Sequence, residues 1–156
     1  MSPTDEQVRI GVFVCHCGKN IAGTIDCVAV SDYAKGLEGV VYSAHNLYTC
    51  SEAGQTELKK AIADHKLNRV VVASCSPKMH EMTFRSCVVD AGLNPFLMEM
   101  ANIREHNSWV HSGDSKGATR KAMDQGKMAV SKARLLRPLQ PIRVQITKRA
   151  LVLGGG

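Results

Sequence analysis

Four cysteines carry the chemistry that this sequence can do: Cys15, Cys17, Cys50 and Cys75. Strand-like runs lead into three places. Arg9 to Val14 precedes Cys15-His16-Cys17, Val40 to Ala44 lies a few residues before Cys50, and Arg69 to Ser74 runs straight into Cys75. If these strands lie parallel in one sheet, all four sulfurs collect along its carboxyl edge, where open α/β sheets place their ligands. Four thiolates converging there can hold an iron–sulfur cluster or a zinc ion. A third chemistry uses the thiols themselves, Cys15 with Cys17 or Cys75, as exchanging redox groups.

Each residue also has a plainer reading. A Cys-x-Cys pair is less diagnostic than paired Cys-x-x-Cys motifs, although two residues apart on an extended chain the side chains share a face. Cys50 alone reads as a thiol at a helix start, its pKa lowered by the helix dipole. Cys75 alone reads as a small buried hydrophobe. The common edge favours joint ligation over these separate readings. Cys27 and Cys87 fall inside expected helices among apolar neighbours and read as core. His16 and His80 flank the site, either donating hydrogen bonds to sulfur or facing solvent. Lys19 and Lys78 either offset a cluster's negative charge or are ordinary surface lysines. No Ser-His-Asp or paired-carboxylate arrangement stands in a compelling context.

The elements that must position these residues alternate along the chain. Strand one covers roughly residues 9–15. Asp26 or Thr24 caps a helix through Val28, Val30, Tyr33 and Ala34 that ends near Gly36. Strand two is Gly39 to Ala44. Ser51 opens a helix carrying Leu58, Ala61 and Ile62 on one face, and Glu52 in its first turn suits the helix dipole. Strand three, Arg69 to Ser74, is a continuous apolar run of the kind buried on both faces. Pro77 suits a first helical turn, and that helix runs to about Ala91. Asn94-Pro95 turns into strand four, Phe96 to Met100. A last helix starts at Asp114 or Ser115 and reaches about Arg137, with Ala118, Ala122, Ala129, Ala133 and Leu136 at helical spacing as core packing. The order predicts an α/β fold: a small parallel sheet of about four strands flanked by helices, Rossmann/flavodoxin-like.

Bulk properties agree with one domain. The chain has 156 residues, 44% of them hydrophobic and only 4% aromatic, so the core is aliphatic. No apolar run reaches the ~18 residues of a membrane span, and Met1 to Val8 is polar with no signal region after it. A cytoplasmic protein is expected, whose six cysteines are ligands or free thiols rather than disulfides. Net charge is +6, with Lys116, Arg120, Lys121, Lys127, Lys132, Arg134 and Arg137 in one stretch. Without interleaved aromatics this stretch does not read as nucleic-acid binding. It reads as a solvated helix face or, more sharply, as a docking face for an acidic partner domain.

Residues 1–137 therefore form the α/β domain, and residues 138–156 a connector stiffened by Pro138 and Pro141. After it, Lys148 to Leu153 reads as a strand running into Gly154, Gly155 and Gly156, the opening of a dinucleotide-binding turn. The helix that would receive the pyrophosphate does not follow. The expectation is one piece of a longer protein, with the three glycines starting a truncated FAD-binding domain.

Four segments closely resemble one family. Val14-Cys15-His16-Cys17-Gly18-Lys19-Asn20-Ile21, Tyr48-Thr49-Cys50-Ser51, Ala73-Ser74-Cys75-Ser76-Pro77-Lys78-Met79-His80-Glu81 and Met98-Glu99-Met100-Ala101-Asn102-Ile103-Arg104-Glu105 are similar to the N-terminal iron–sulfur domain of the heterodisulfide reductase A-type polypeptide. Leu151 to Gly156 resembles the start of the FAD domain in the same polypeptide. The resemblance implies a large flavoprotein that bifurcates electrons at FAD. It implies work with the B-type and C-type polypeptides of heterodisulfide reductase, often with a hydrogenase or formate dehydrogenase, and compatibility with a homodimer. It also implies a [4Fe–4S] cluster in this domain that relays electrons. One departure stands out. Family members often carry a cysteine where this chain has Asn107, so if that cysteine is a ligand, the four favoured here must suffice or His106 must substitute.

Overall fold

The computed structural model describes residues 7–154. Strands β1 (Ile10–Cys15), β2 (Val40–Asn46), β3 (Arg69–Ser74) and β4 (Met98–Asn102) pair in parallel in the order β2-β1-β3-β4. The helices are α1 (Lys19–Ala22), α2 (Cys27–Lys35), α3 (Glu52–Asp64), α4 (Pro77–Asp90) and α5 (Ser115–Leu135). The expected α/β class is what the chain forms.

Strand alternation sorts the core into two layers. Ile10, Val12, Val14, Val71 and Ala73 pack against Val30 and Ala34 of α2 and against Ala118, Ala122, Ala129 and Ala133 of α5. Phe13, Val70 and Val72 face the other way, onto Leu58 and Ile62 of α3 and Phe84 and Val88 of α4. Both sides of β1 and β3 are covered, which is why their sequences are almost continuously apolar. The alanine stripe of α5 is core packing, as its spacing predicts.

Local signals fix most boundaries. Asp26, Ser51, Ser76 and Asp114 cap α2, α3, α4 and α5 by accepting from the backbone N–H groups of Ala29, Gly54, Lys78 and Gly117; Thr24 is not the cap. Such caps contribute about 1 kcal/mol each. Four boundaries differ from expectation by two residues, and β2 and β4 each end two residues late, at Asn46 and Asn102. β4 begins at Met98, two residues late, because Pro95–Leu97 form a 3-10 turn capped by Asn94 before Met98 comes opposite Val70. Helix α5 ends at Leu135, two residues early, because Leu136 is already extended ahead of Arg137-Pro138.

The order of strands creates the site. From β1 the chain moves to β2 on one side, then returns to place β3 on the other side of β1. The connections after β1 and β3 therefore part at their carboxyl ends and leave a crevice there.

From Leu136 to Gly154 the chain has no helix or strand and is almost wholly exposed. The strand expected at Lys148 to Leu153 does not form. Leu151, Val152 and Leu153 are more than 80% exposed, and with no strand paired beside them their backbone groups hydrogen-bond to water instead of to a ladder. Gly155 and Gly156 lie outside the described residues. We propose a domain boundary at Pro138, and limited trypsin digestion tests it. Cleavage is expected at Arg143, Lys148 or Arg149 with the part before Pro138 intact. Resistance there, combined with cuts inside residues 39–100, contradicts the boundary.

Candidate metal centre

Cys15 is the last residue of β1 and is 3% exposed. The turn after β2 wraps its sulfur: the backbone N–H of Thr49 donates to Cys15 Sγ at 3.4 Å, and the thiol lies 3.9 Å from the Leu47 carbonyl. Thr49 is fully buried, and its hydroxyl donates to Asn46 Oδ1 at 2.5 Å, which fixes that turn. Cys50 comes next, followed by Ser51, whose hydroxyl donates to Tyr48 O and accepts from Gly54 N to start α3.

Cys17 reaches the same edge by a turn, not along the extended chain that its spacing suggests. Its φ is 47° and that of Gly18 is 56°, so two successive left-handed residues reverse the backbone. The His16 carbonyl accepts from both Ile21 N and Ala22 N, which closes the turn. A non-glycine residue held there costs of order 1–3 kcal/mol, and such strain concentrates at functional sites. Glycine suits the positive φ at position 18, where a Cβ would also meet Tyr48 Oη, the tip of a half-exposed side chain, at 2.7 Å.

Cys75 follows β3, buried, immediately before the Ser76 cap of α4. A charge on Cys15 or Cys17 is felt at both Cys50 and Cys75. Burial pushes the Cys50 thiol up, and Cys15 adds to this, so the lowering expected at a helix start is reversed. Burial also raises Cys75, while Arg104 pulls it down. Among the described residues no three His, Cys, Asp or Glu side chains form a group that could hold a metal ion. A zinc ion would hold its sulfurs closer together than a cubane iron–sulfur cluster would, and thiolates ligate either. Four soft thiol donors without a carboxylate fit such a cluster.

The residue that sequence reasoning missed is Arg104. Asn102 Oδ1 accepts from the backbone N–H groups of Arg104 and Glu105, and Ile103 N donates to Ser74 O, so the single π-helical turn Arg104–Ser108 is anchored to β3 and β4. Arg104 is 8% exposed. Its Nη1 donates to Cys17 Sγ at 3.2 Å, and its Nη2 donates to Glu105 Oε1 and Met79 Sδ, both at 2.8 Å. Burial disfavours the guanidinium charge, but Glu105 and Cys17 more than offset it and hold the pKa above the usual arginine value. Burial likewise works against the Glu105 carboxylate, yet Arg104 and backbone N–H groups keep its pKa below the usual value. The available signal was positional: Arg104 follows strand four at the same sheet edge as the cysteines.

His16 Nε2 pairs with His45 Nδ1 at 3.0 Å, rings stacked, and burial and then His45 lower its pKa. His80 lies edge-on to Phe84. Lys19 and Lys78 are exposed. Cys27 and Cys87 are core residues, and burial, then Cys15, pushes the Cys27 thiol up to about 12. Asn107 is fully buried and donates to Ala118 O and Gln125 Oε1, both at 2.9 Å, so it is tied into α5; His106 is exposed. On the basic face of α5, Lys132 pairs with Glu99 and Arg134 with Glu38. Gly154 is exposed, has a φ of 82°, and a Cβ there would meet nothing within 4 Å.

No family model matches the chain. Individual relatives do, and all three described here are A-type polypeptides of heterodisulfide reductases. The chain is 58% identical over 98% of its length to that of the H2:CoB–CoM heterodisulfide,ferredoxin reductase of Methanothermobacter thermautotrophicus. It is 57% identical over 97% of its length to the second iron–sulfur A-type polypeptide of the CoB–CoM heterodisulfide reductase of Methanopyrus kandleri. The counterpart from the H2/formate:CoB–CoM heterodisulfide,ferredoxin reductase of Methanococcus maripaludis is 47% identical over 95% of the chain. The chain spans 22–23% of the length of these three relatives. The likeness read from the four sequence segments thus extends over nearly the whole chain.

Proposed function

We propose that this chain, a domain-length relative of the heterodisulfide reductase A-type polypeptide, is an electron-relay domain that holds a [4Fe–4S] cluster on Cys15, Cys17, Cys50 and Cys75. The observation that carries the reading is the placement of four free cysteines at the carboxyl ends of β1 and β3 and in the turns beside them, with a buried guanidinium donating to one of them. Such a cluster supplies one-electron transfer when bound. The chain's own residues do the rest. Thr49 N–H and Arg104 donate to sulfur, the buried flanks of Cys15 and Cys75 limit water, and the left-handed turn at Cys17 and Gly18 aims the second thiol.

The wider role belongs to the longer protein. There the domain would serve a flavin-based, electron-bifurcating heterodisulfide reductase of the cytoplasm. FAD would sit in the remainder of the A-type polypeptide, beyond the glycines at 154–156. The B-type and C-type polypeptides would be partners, with a hydrogenase or formate dehydrogenase as electron source; the relatives' names cite H2, formate and ferredoxin. Among the described residues no helix is long and apolar enough to cross a membrane.

Anaerobic purification with iron and sulfide analysis tests this. Iron and sulfide are expected in equal amounts, with a cluster that a low-potential donor reduces, no bound FAD and no turnover with disulfides. Stoichiometric zinc without colour would establish a structural zinc domain instead. Metal-free disulfide reductase activity dependent on Cys15 and Cys17 would establish a thiol-redox domain.

A further inference from the structure

We infer that Arg104 is the positioning residue for Cys17 and the positive charge against which this site takes up an electron, with Glu105 as its counterweight. The inference rests on the cluster reading above and adds what governs the potential. Three contacts hold the guanidinium. Glu105 Oε1 accepts from Nε at 3.2 Å and Nη2 at 2.8 Å, Met79 Sδ accepts from Nη2, and the Trp109 ring lies 4.9 Å from the guanidinium carbon. With those directions occupied, Nη1 is left aimed at Cys17 Sγ, 3.2 Å away. A planar fork can satisfy these partners together; a lysine ammonium cannot. The turn that carries Arg104 is itself fixed by Asn102 and Ser74, so the charge is pre-placed.

Taking up one electron adds one negative charge to a thiolate-ligated cluster. A buried cation donating to a ligand sulfur favours that more negative state, and burial weakens solvent screening of the pair. The neighbouring carboxylate of Glu105 opposes it. The two side chains therefore act on the potential with opposite signs, which loosened packing would not do.

The test is a redox titration of the anaerobic, iron-loaded 156-residue chain, with dithionite as one-electron reductant and EPR as readout. Arg104→Gln is expected to lower the ratio of reduced to oxidised protein at least tenfold at a fixed poise, about 59 mV for one electron. Glu105→Gln is expected to raise that ratio several-fold, and Arg104→Lys to fall between wild type and Arg104→Gln. A fully loaded Arg104→Gln protein with an unchanged midpoint overturns the inference while leaving the cluster reading intact. Shifts of the same sign for Arg104→Gln and Glu105→Gln also overturn it. If Arg104→Gln fails to load iron, Glu105→Gln decides: a raised midpoint supports the inference, and an unchanged one overturns it. A wild-type chain that holds no iron and sulfide sinks the cluster reading itself, and this inference with it.

Discussion

Alanine at any one of Cys15, Cys17, Cys50 or Cys75 is expected to strip most of the iron from the anaerobically prepared protein or to convert the cluster to another form. Cys27→Ala and Cys87→Ala should keep full iron and an unchanged EPR signal. The contrast is the informative part, since all six cysteines are free and four of them are buried. What separates the sets is placement. Cys27 and Cys87 point into the two core layers, with Cys27 Sγ 3.8 Å from the Cys15 carbonyl and Cys87 Sγ 3.5 Å from the Gln55 carbonyl. Removing either leaves a small cavity costing on the order of 1 kcal/mol, with no ligand lost. The other four share the carboxyl edge, where in the proposed cluster each lost thiolate would leave an iron without a protein ligand. An intact, fully loaded cluster in Cys50→Ala or Cys75→Ala protein would show that the ligand set is wrong.

The fold was largely legible because its signals are local. Capping residues, Pro77 and Gly36 mark helix ends through backbone chemistry that needs no tertiary knowledge. The continuous apolar run of β3, rich in β-branched valine and only six residues long, reads as a strand covered on both faces. The parallel order then follows from the alternation of strands and helices, and the gathering of cysteines follows from the parallel order. What was not legible depends on contacts far apart in sequence. The left-handed conformation of Cys17 is held by hydrogen bonds that reach back to His16 and across to Leu47. The role of Arg104 depends on a sulfur 87 residues away. The start of β4 is set by its register against Val70, and nothing in Phe96 or Leu97 alone reveals it. The tail shows the converse. Lys148 to Leu153 has strand composition, but composition without a pairing partner does not make a strand.

Gly54→Ala joins fold to site in one substitution. By propensity it should help, because alanine is favoured over glycine in a helix by about 1 kcal/mol. Here the added Cβ would meet Tyr48 O at 2.4 Å, Thr49 O at 2.7 Å and Thr49 Cα at 2.8 Å. All three are backbone atoms, so no rotamer change relieves the contact, and α3 or the Tyr48–Thr49 turn must move. Overpacking of this kind costs about 1–3 kcal/mol, enough to outweigh the propensity gain. The turn that must yield is the one whose Thr49 N–H donates to Cys15 Sγ and that leads into Cys50. The variant is therefore expected to lose iron as well as stability, with the melting temperature falling by roughly 2–4 °C for each kcal/mol lost. Gly126→Ala is the matched control. Gly126 is buried in α5, yet a Cβ there meets nothing within 4 Å, so the same substitution should raise stability by about 0.5–1 kcal/mol and leave iron content unchanged. If Gly54→Ala stabilises the protein as much as Gly126→Ala does and retains full iron, the close packing of α3 on the Cys50 turn does not position the site.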